Sequence, residues 1–125
     1  MHKYFQFVAL AVLSLGSVTD ACAEDRFQRL KAAEIKTVLI GKTITDEYHW
    51  ADVFNADGSL GGHQLGNAQT GSWKLNKSAE ICVVRATSHK PKDDEPGCVE
   101  IWMRGNEIQY RRGRIVLSEG ILKNE

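Results

Sequence analysis

The sequence predicts a mainly β domain: a small antiparallel barrel or curved sheet of about six to eight strands, with one N-terminal helix and one disulfide. Three observations carry this. Beyond residue 41, turn signals recur about every 8–12 residues. Between them, apolar residues alternate with polar ones, the period of a half-buried strand. And two cysteines lie in a portion of the chain that reads as exported, where thiols pair.

Residues 1–23 have the pattern of a secretory signal peptide. Lys3 supplies the positive start, Phe5 to Leu15 the apolar run, and Ala21-Cys22-Ala23 the small-residue cleavage pattern. The run is about half the ~20 residues that a membrane-spanning helix needs, so no transmembrane segment is expected. Cys22 is also where a lipoprotein would be acylated, but Thr19 and Asp20 suit that signal poorly, and cleavage after Ala23 is the expected processing. Of three cysteines, Cys82 and Cys98 then remain, in a periplasmic or secreted domain spanning 24–125.

A helix is expected over 25–40. Asp25 and Gln28 have capping-box spacing, Leu30, Ala33, Ile35, Val38 and Leu39 give an apolar stripe, and Gly41 suits the residue that ends it. The period then changes to two. Ile44, Tyr48, Trp50 and Phe54 share a face of one long strand over 43–54, which Asp46 and Asp52 must bend, expose or break. Asn55-Ala56-Asp57-Gly58 is a turn, 59–65 a glycine-rich return strand, and 66–71 a polar loop. Residues 72–75 form a short strand, Asn76-Lys77-Ser78 turns it, and 79–86 is the most apolar strand. After a charged loop over 87–97 come strands at 98–104 and 107–112 joined by Gly105-Asn106. Gly113 interrupts, 114–118 continues, and Glu119-Gly120 is expected to turn before Ile121 and Leu122.

Cys82 and Cys98 are expected to form a disulfide tying one strand to the start of the next. A metal pair would want C-x-x-C spacing and a near histidine, and a redox pair also favours the short motif.

Composition excludes some functions. Sixteen basic and sixteen acidic residues give a net charge of zero, which argues against nucleic-acid binding. No G-x-S-x-G, H-E-x-x-H, phosphate-loop or dinucleotide pattern occurs, and Ser72 and Ser88 have no evident base. Asp46, Glu47, His49 and Asp52 form the densest polar cluster, and with His63 across a hairpin they raise a metal-binding or hydrolytic alternative. A strand would point Glu47 and His49 one way and both aspartates the other, so a solvated face explains the cluster better. Lys90 to Pro96 lacks the spaced ligands and glycine of a calcium loop. Arg111, Arg112 and Arg114 are the only basic concentration; Arg112 and Arg114 could hold a carboxylate, phosphate or anionic lipid headgroup, or merely protect an edge strand. Trp50, Trp73 and Trp102 would line a ligand pocket or, in a barrel this small, fill it.

Ala33-Glu34-Ile35 with Leu39, Gly41 and Thr43, then an aromatic strand from Tyr48 to Phe54, Asp57-Gly58, Gly71 with Trp73, Ile81-Cys82 and Cys98 follow one another in order. This order resembles a set of small exported proteobacterial β-rich proteins of unknown function. The resemblance covers most of 32–103, implies a shared fold, and transfers no catalytic residue. Gly71-x-Trp73 in a small exported barrel is also similar to lipocalin-like proteins and barrel-shaped protease inhibitors, in architecture only.

The expectation is a non-enzymatic binding or interaction module, monomeric, without a cofactor, contacting an envelope protein or a small ligand. Its contact surface would be the loops 66–70 and 87–97 or the arginine edge 111–114. A small-ligand carrier with an aromatic-lined barrel is the second reading, and a metal or hydrolytic protein using His49, Glu47 and His63 the third.

Overall fold

A computed structural model describes residues 26–86 and 97–124. The signal-peptide reading, Asp25 and the loop 87–96 lie outside them. In chain order the elements are β1 (Gln28–Arg29), α1 (Ala32–Val38), β2 (Thr43–Thr45), β3 (Trp50–Phe54), β4 (Leu60–Gln64), β5 (Asn67–Ala68), β6 (Gly71–Leu75), β7 (Glu80–Arg85), β8 (Gly97–Arg104), β9 (Glu107–Arg112) and β10 (Ile115–Lys123). All ten strands belong to one antiparallel sheet ordered β5-β4-β3-β2-β10-β9-β8-β7-β6, with β1 added to β8, and the sheet curls into a half-barrel.

The mainly β class, the helix and the disulfide agree with the sequence, while ten strands replace six to eight. Two of the extra strands, β1 and β5, are two residues long, too short to show a period. The expected strand 43–54 is two strands of one hairpin, with Thr45 opposite Ala51. The break is made by Asp46, whose Oδ1 accepts the backbone N–H of Tyr48 (3.0 Å), His49 (2.7 Å) and Trp50 (3.0 Å). A side chain that satisfies three successive amides replaces a strand ladder with a turn.

The helix is shorter than expected. Gln28 and Arg29 pair with Met103 and Trp102, and Leu30 N–H donates to Ile101 O (2.8 Å), so this stretch is strand. The helix begins after Lys31, whose N–H donates to the Glu34 carboxylate (3.2 Å), not at Asp25 with Gln28. Ile35 and Leu39 are wholly buried, and docking them holds a seven-residue helix that would not persist alone.

Two further differences fall on the last strand. Gly113-Arg114 is a two-residue hairpin turn, with Ile115 opposite Arg112. Glu119-Gly120 does not turn: β10 runs unbroken through both, and a bulge between Val116 and Ser118 adjusts its register.

The core joins Ile35 and Leu39 to Ile44, Phe54, Leu60, Ile81, Ile101, Ile108, Tyr110 and Leu122. Cys82 and Cys98 are directly opposite on β7 and β8 and form the disulfide. The half-barrel nearly closes where Ser59 bridges Ser72 and Trp73 N–H donates to Gly58 O (3.0 Å).

Candidate functional site

Strand direction sorts the connections between two ends of the half-barrel. Because neighbours are antiparallel, the β2–β3, β4–β5 and β9–β10 connections, the last residues of β7 and the first of β8 share one end, the rim. The β3–β4, β6–β7 and β8–β9 turns share the other. Of the expected contact segments, 87–96 lies outside the described residues, while Gly66 in the β4–β5 turn, Thr70, bonded through its carbonyl to Ala86 N–H (2.9 Å), and the Arg112-Gly113-Arg114 tip lie toward the rim.

The large apolar side chains that stand exposed among the described residues gather at this same end. Tyr48 (84% exposed) is in the β2–β3 turn, Leu65 (74%) in the β4–β5 turn, and Val84 near the end of β7. Ile115 (64%), Val116 and Leu117 open β10. Over Ile115–Gly120, β10 pairs with β9 alone, because β2 covers only Ile121–Lys123. Arg112 and Arg114 are exposed at the tip and have no ion-pair partner among the described residues.

Beneath the rim lies a buried polar network. Asp52, on the concave face of β3, is 2% exposed. Its carboxylate accepts from Tyr110 Oη (3.1 Å), Gln69 Nε2 (2.7 Å) and both terminal nitrogens of Arg85 (3.2 and 3.4 Å). Burial first, then the Asp52 charge and hydrogen bond, push the Tyr110 phenol well above its ordinary range. Gln69 Oε1 is buried without a partner among the described residues, while its amide nitrogen also donates to Ala51 O (3.0 Å). Arg85 is partly exposed and lines a groove of about 490 Å³ together with Leu65, Gln69 and Thr70. Its guanidinium is held by Asp52, so the network fixes the rim's inner wall.

The residues singled out by sequence are separated. Arg111 does not share the exposed tip with Arg112 and Arg114. It bonds Gln109 Oε1 through Nε (2.7 Å) and Nη2, and its guanidinium lies 4.3 Å over Trp102 and 5.5 Å from Phe27 on the convex face. Trp50 and Trp73 pack against the core, Trp50 5.7 Å from Tyr110 and Trp73 edge-on to Phe54 at 5.9 Å. Trp102 alternates with core Ile101 and faces outward, where Nε1 donates to Glu100 (3.0 Å). The three indoles thus share no cavity.

The polar cluster is also divided. Asp52 points inward and is not part of a solvated face. Asp46 and His49 stay together, Nδ1 to Oδ2 at 2.7 Å. Desolvation opposes ionisation of Asp46, but hydrogen bonds from the backbones of His49, Trp50 and Tyr48 and from the His49 ring hold its carboxyl below the usual carboxylate range. Glu47 pairs with Lys123 (2.9 Å), and His63 stands opposite Ala51, not His49. Among the described residues, no three His, Cys, Asp or Glu side chains gather as a metal site.

Sequence reading missed Gln69 and Arg85 and did not join Tyr110 to Asp52. The signal was Asp52 itself, on the period-two face of Ile44 and Phe54, since a buried carboxylate needs donors. Its partners lie 17, 33 and 58 residues away, beyond local pattern. Comparisons with protein-family models, curated proteins and solved structures return no match.

Proposed function

We propose that this chain is a non-enzymatic binding module whose contact surface is the rim. The observation that carries the reading is the gathering of exposed apolar side chains at one end, around the Arg112–Arg114 tip. Isolated exposed apolar residues are ordinary, but a cluster confined to one end of a small domain marks a contact surface. The Cys82–Cys98 disulfide supports work outside a reducing compartment. No described helix is long and apolar enough to cross a membrane.

The test compares rim and opposite-end variants of the purified chain for retention by an envelope preparation containing both membranes and soluble proteins. Leu65→Asp with Ile115→Asp is expected to abolish retention, and Asn106→Asp, in the β8–β9 turn, to preserve it. Equal retention of both variants overturns the reading.

A further inference from the structure

Resting on that reading, we propose that the rim's partner is the surface of an anionic lipid bilayer. Two features favour a bilayer over a folded protein. The first is how the apolar groups are distributed. Tyr48 and Leu65 come from different turns and Ile115 from the start of β10, with 84%, 74% and 64% of their surface exposed. A folded partner would need a matching socket for each. A fluid interface accepts separate side chains at the depth each reaches, and the amphipathic Tyr48 suits the headgroup layer.

The second feature is charge. Arg112 and Arg114 flank Ile115, are exposed, and have no ion-pair partner among the described residues. A guanidinium binds phosphate through parallel N–H donors. The acids closest in the chain to Tyr48 are already met: Asp46 by three backbone amides and the His49 ring, Glu47 by Lys123. Basic side chains beside protruding apolar ones are complementary to phosphate headgroups over acyl chains. Residues 87–96 lie outside the described residues, and the proposed surface does not include them.

Docked this way, the half-barrel stands upright on the membrane. The β8–β9 turn at Gly105-Asn106 points away, and no backbone hydrogen bond of the sheet is broken.

The experiment uses the full oxidised chain and sedimentation with vesicles of phosphatidylcholine, either alone or mixed equally with phosphatidylglycerol. Binding is expected to the mixed vesicles only and should weaken as salt rises. Arg112→Glu with Arg114→Glu should weaken it by about thirtyfold or more, each arginine near an anionic surface being worth roughly fivefold. Ile115→Asp should weaken binding with both arginines intact. A tryptophan placed by Leu65→Trp should shift its emission to the blue on binding, whereas one placed by Asn106→Trp should not. Unchanged circular dichroism and melting temperature show that each variant is folded.

Absence of binding to the mixed vesicles at low salt overturns the proposal, as does binding that the rim substitutions leave intact. If the vesicles fail while rim variants still lose a soluble protein partner from the envelope preparation, the lipid proposal falls and the binding-module reading stands. If rim variants lose neither, both fall.

Discussion

A buried carboxylate persists only where donors meet its charge, and Asp52 has three donor side chains from three parts of the fold. Asp52→Ala is expected to cost about 3 kcal/mol, at the low end for breaking a buried pair because Arg85 is partly solvated. Tyr110→Phe removes one hydrogen bond and should cost about 1 kcal/mol. Urea denaturation at neutral pH measures both. The raised Tyr110 pKa fixes the sign of a pH effect. The folded phenol ionises above its unfolded value near 10, so its contribution is complete below about pH 10 and is lost as pH rises through the folded value. Tyr110→Phe has no such proton, so its stability should decline less steeply than that of the parent in a series of urea midpoints above pH ~10. Equal alkaline slopes would show that Tyr110 is not held neutral by burial and Asp52.

Single elements show where local pattern suffices and where it fails. The Gly105-Asn106 turn was legible because its chemistry is local. The disulfide was legible because the expectation of an exported domain left two cysteines to pair, and Cys82 and Cys98 do. The first turns of the expected helix were not, because the free edge of β8 takes Gln28 and Arg29 as a strand, a tertiary preference that overrides helical spacing. Gly120 misled for a related reason. It reads as a turn residue, but a Cβ there would stand 2.9 Å from Thr45 O and 2.9 Å from the Trp50 ring. The glycine lets β2 and Trp50 close over β10. Gly120→Val is therefore expected to cost about 2 kcal/mol by overpacking, while Gly97→Ala, whose Cβ would meet nothing within 4 Å among the described residues, should stay within about 0.5 kcal/mol. Chemical denaturation of the two variants side by side checks the contrast. Replacing Cys82 and Cys98 together by alanine should cost about 3 kcal/mol, the loop-closure entropy for a sequence separation of 16, and leave the strand content unchanged by circular dichroism.

For the whole molecule, the governing fact is that the last strand lies in the middle of the sheet. β10 separates β2–β5 from β6–β9, pairing with β2 at Ile121–Lys123 and with β9 along Ile115–Ile121. Leu122 from this strand is buried in the core shared by both halves. Neither half can complete that core alone, and the contact between β2 and β10 spans most of the domain. Loop-closure entropy must be met before this pairing is rewarded, so folding waits for β10. The rim depends on the same strand, since β10 presents Ile115 to Leu117 at one end and inserts Leu122 near the other. A chain ending at Arg114 is expected to show no cooperative thermal transition and no near-ultraviolet dichroism. A synthetic peptide of residues 115–125 added to it should restore both, because it supplies the missing central strand. A truncated chain that melts cooperatively without the peptide would mean that the two halves fold independently and that β10 merely joins them.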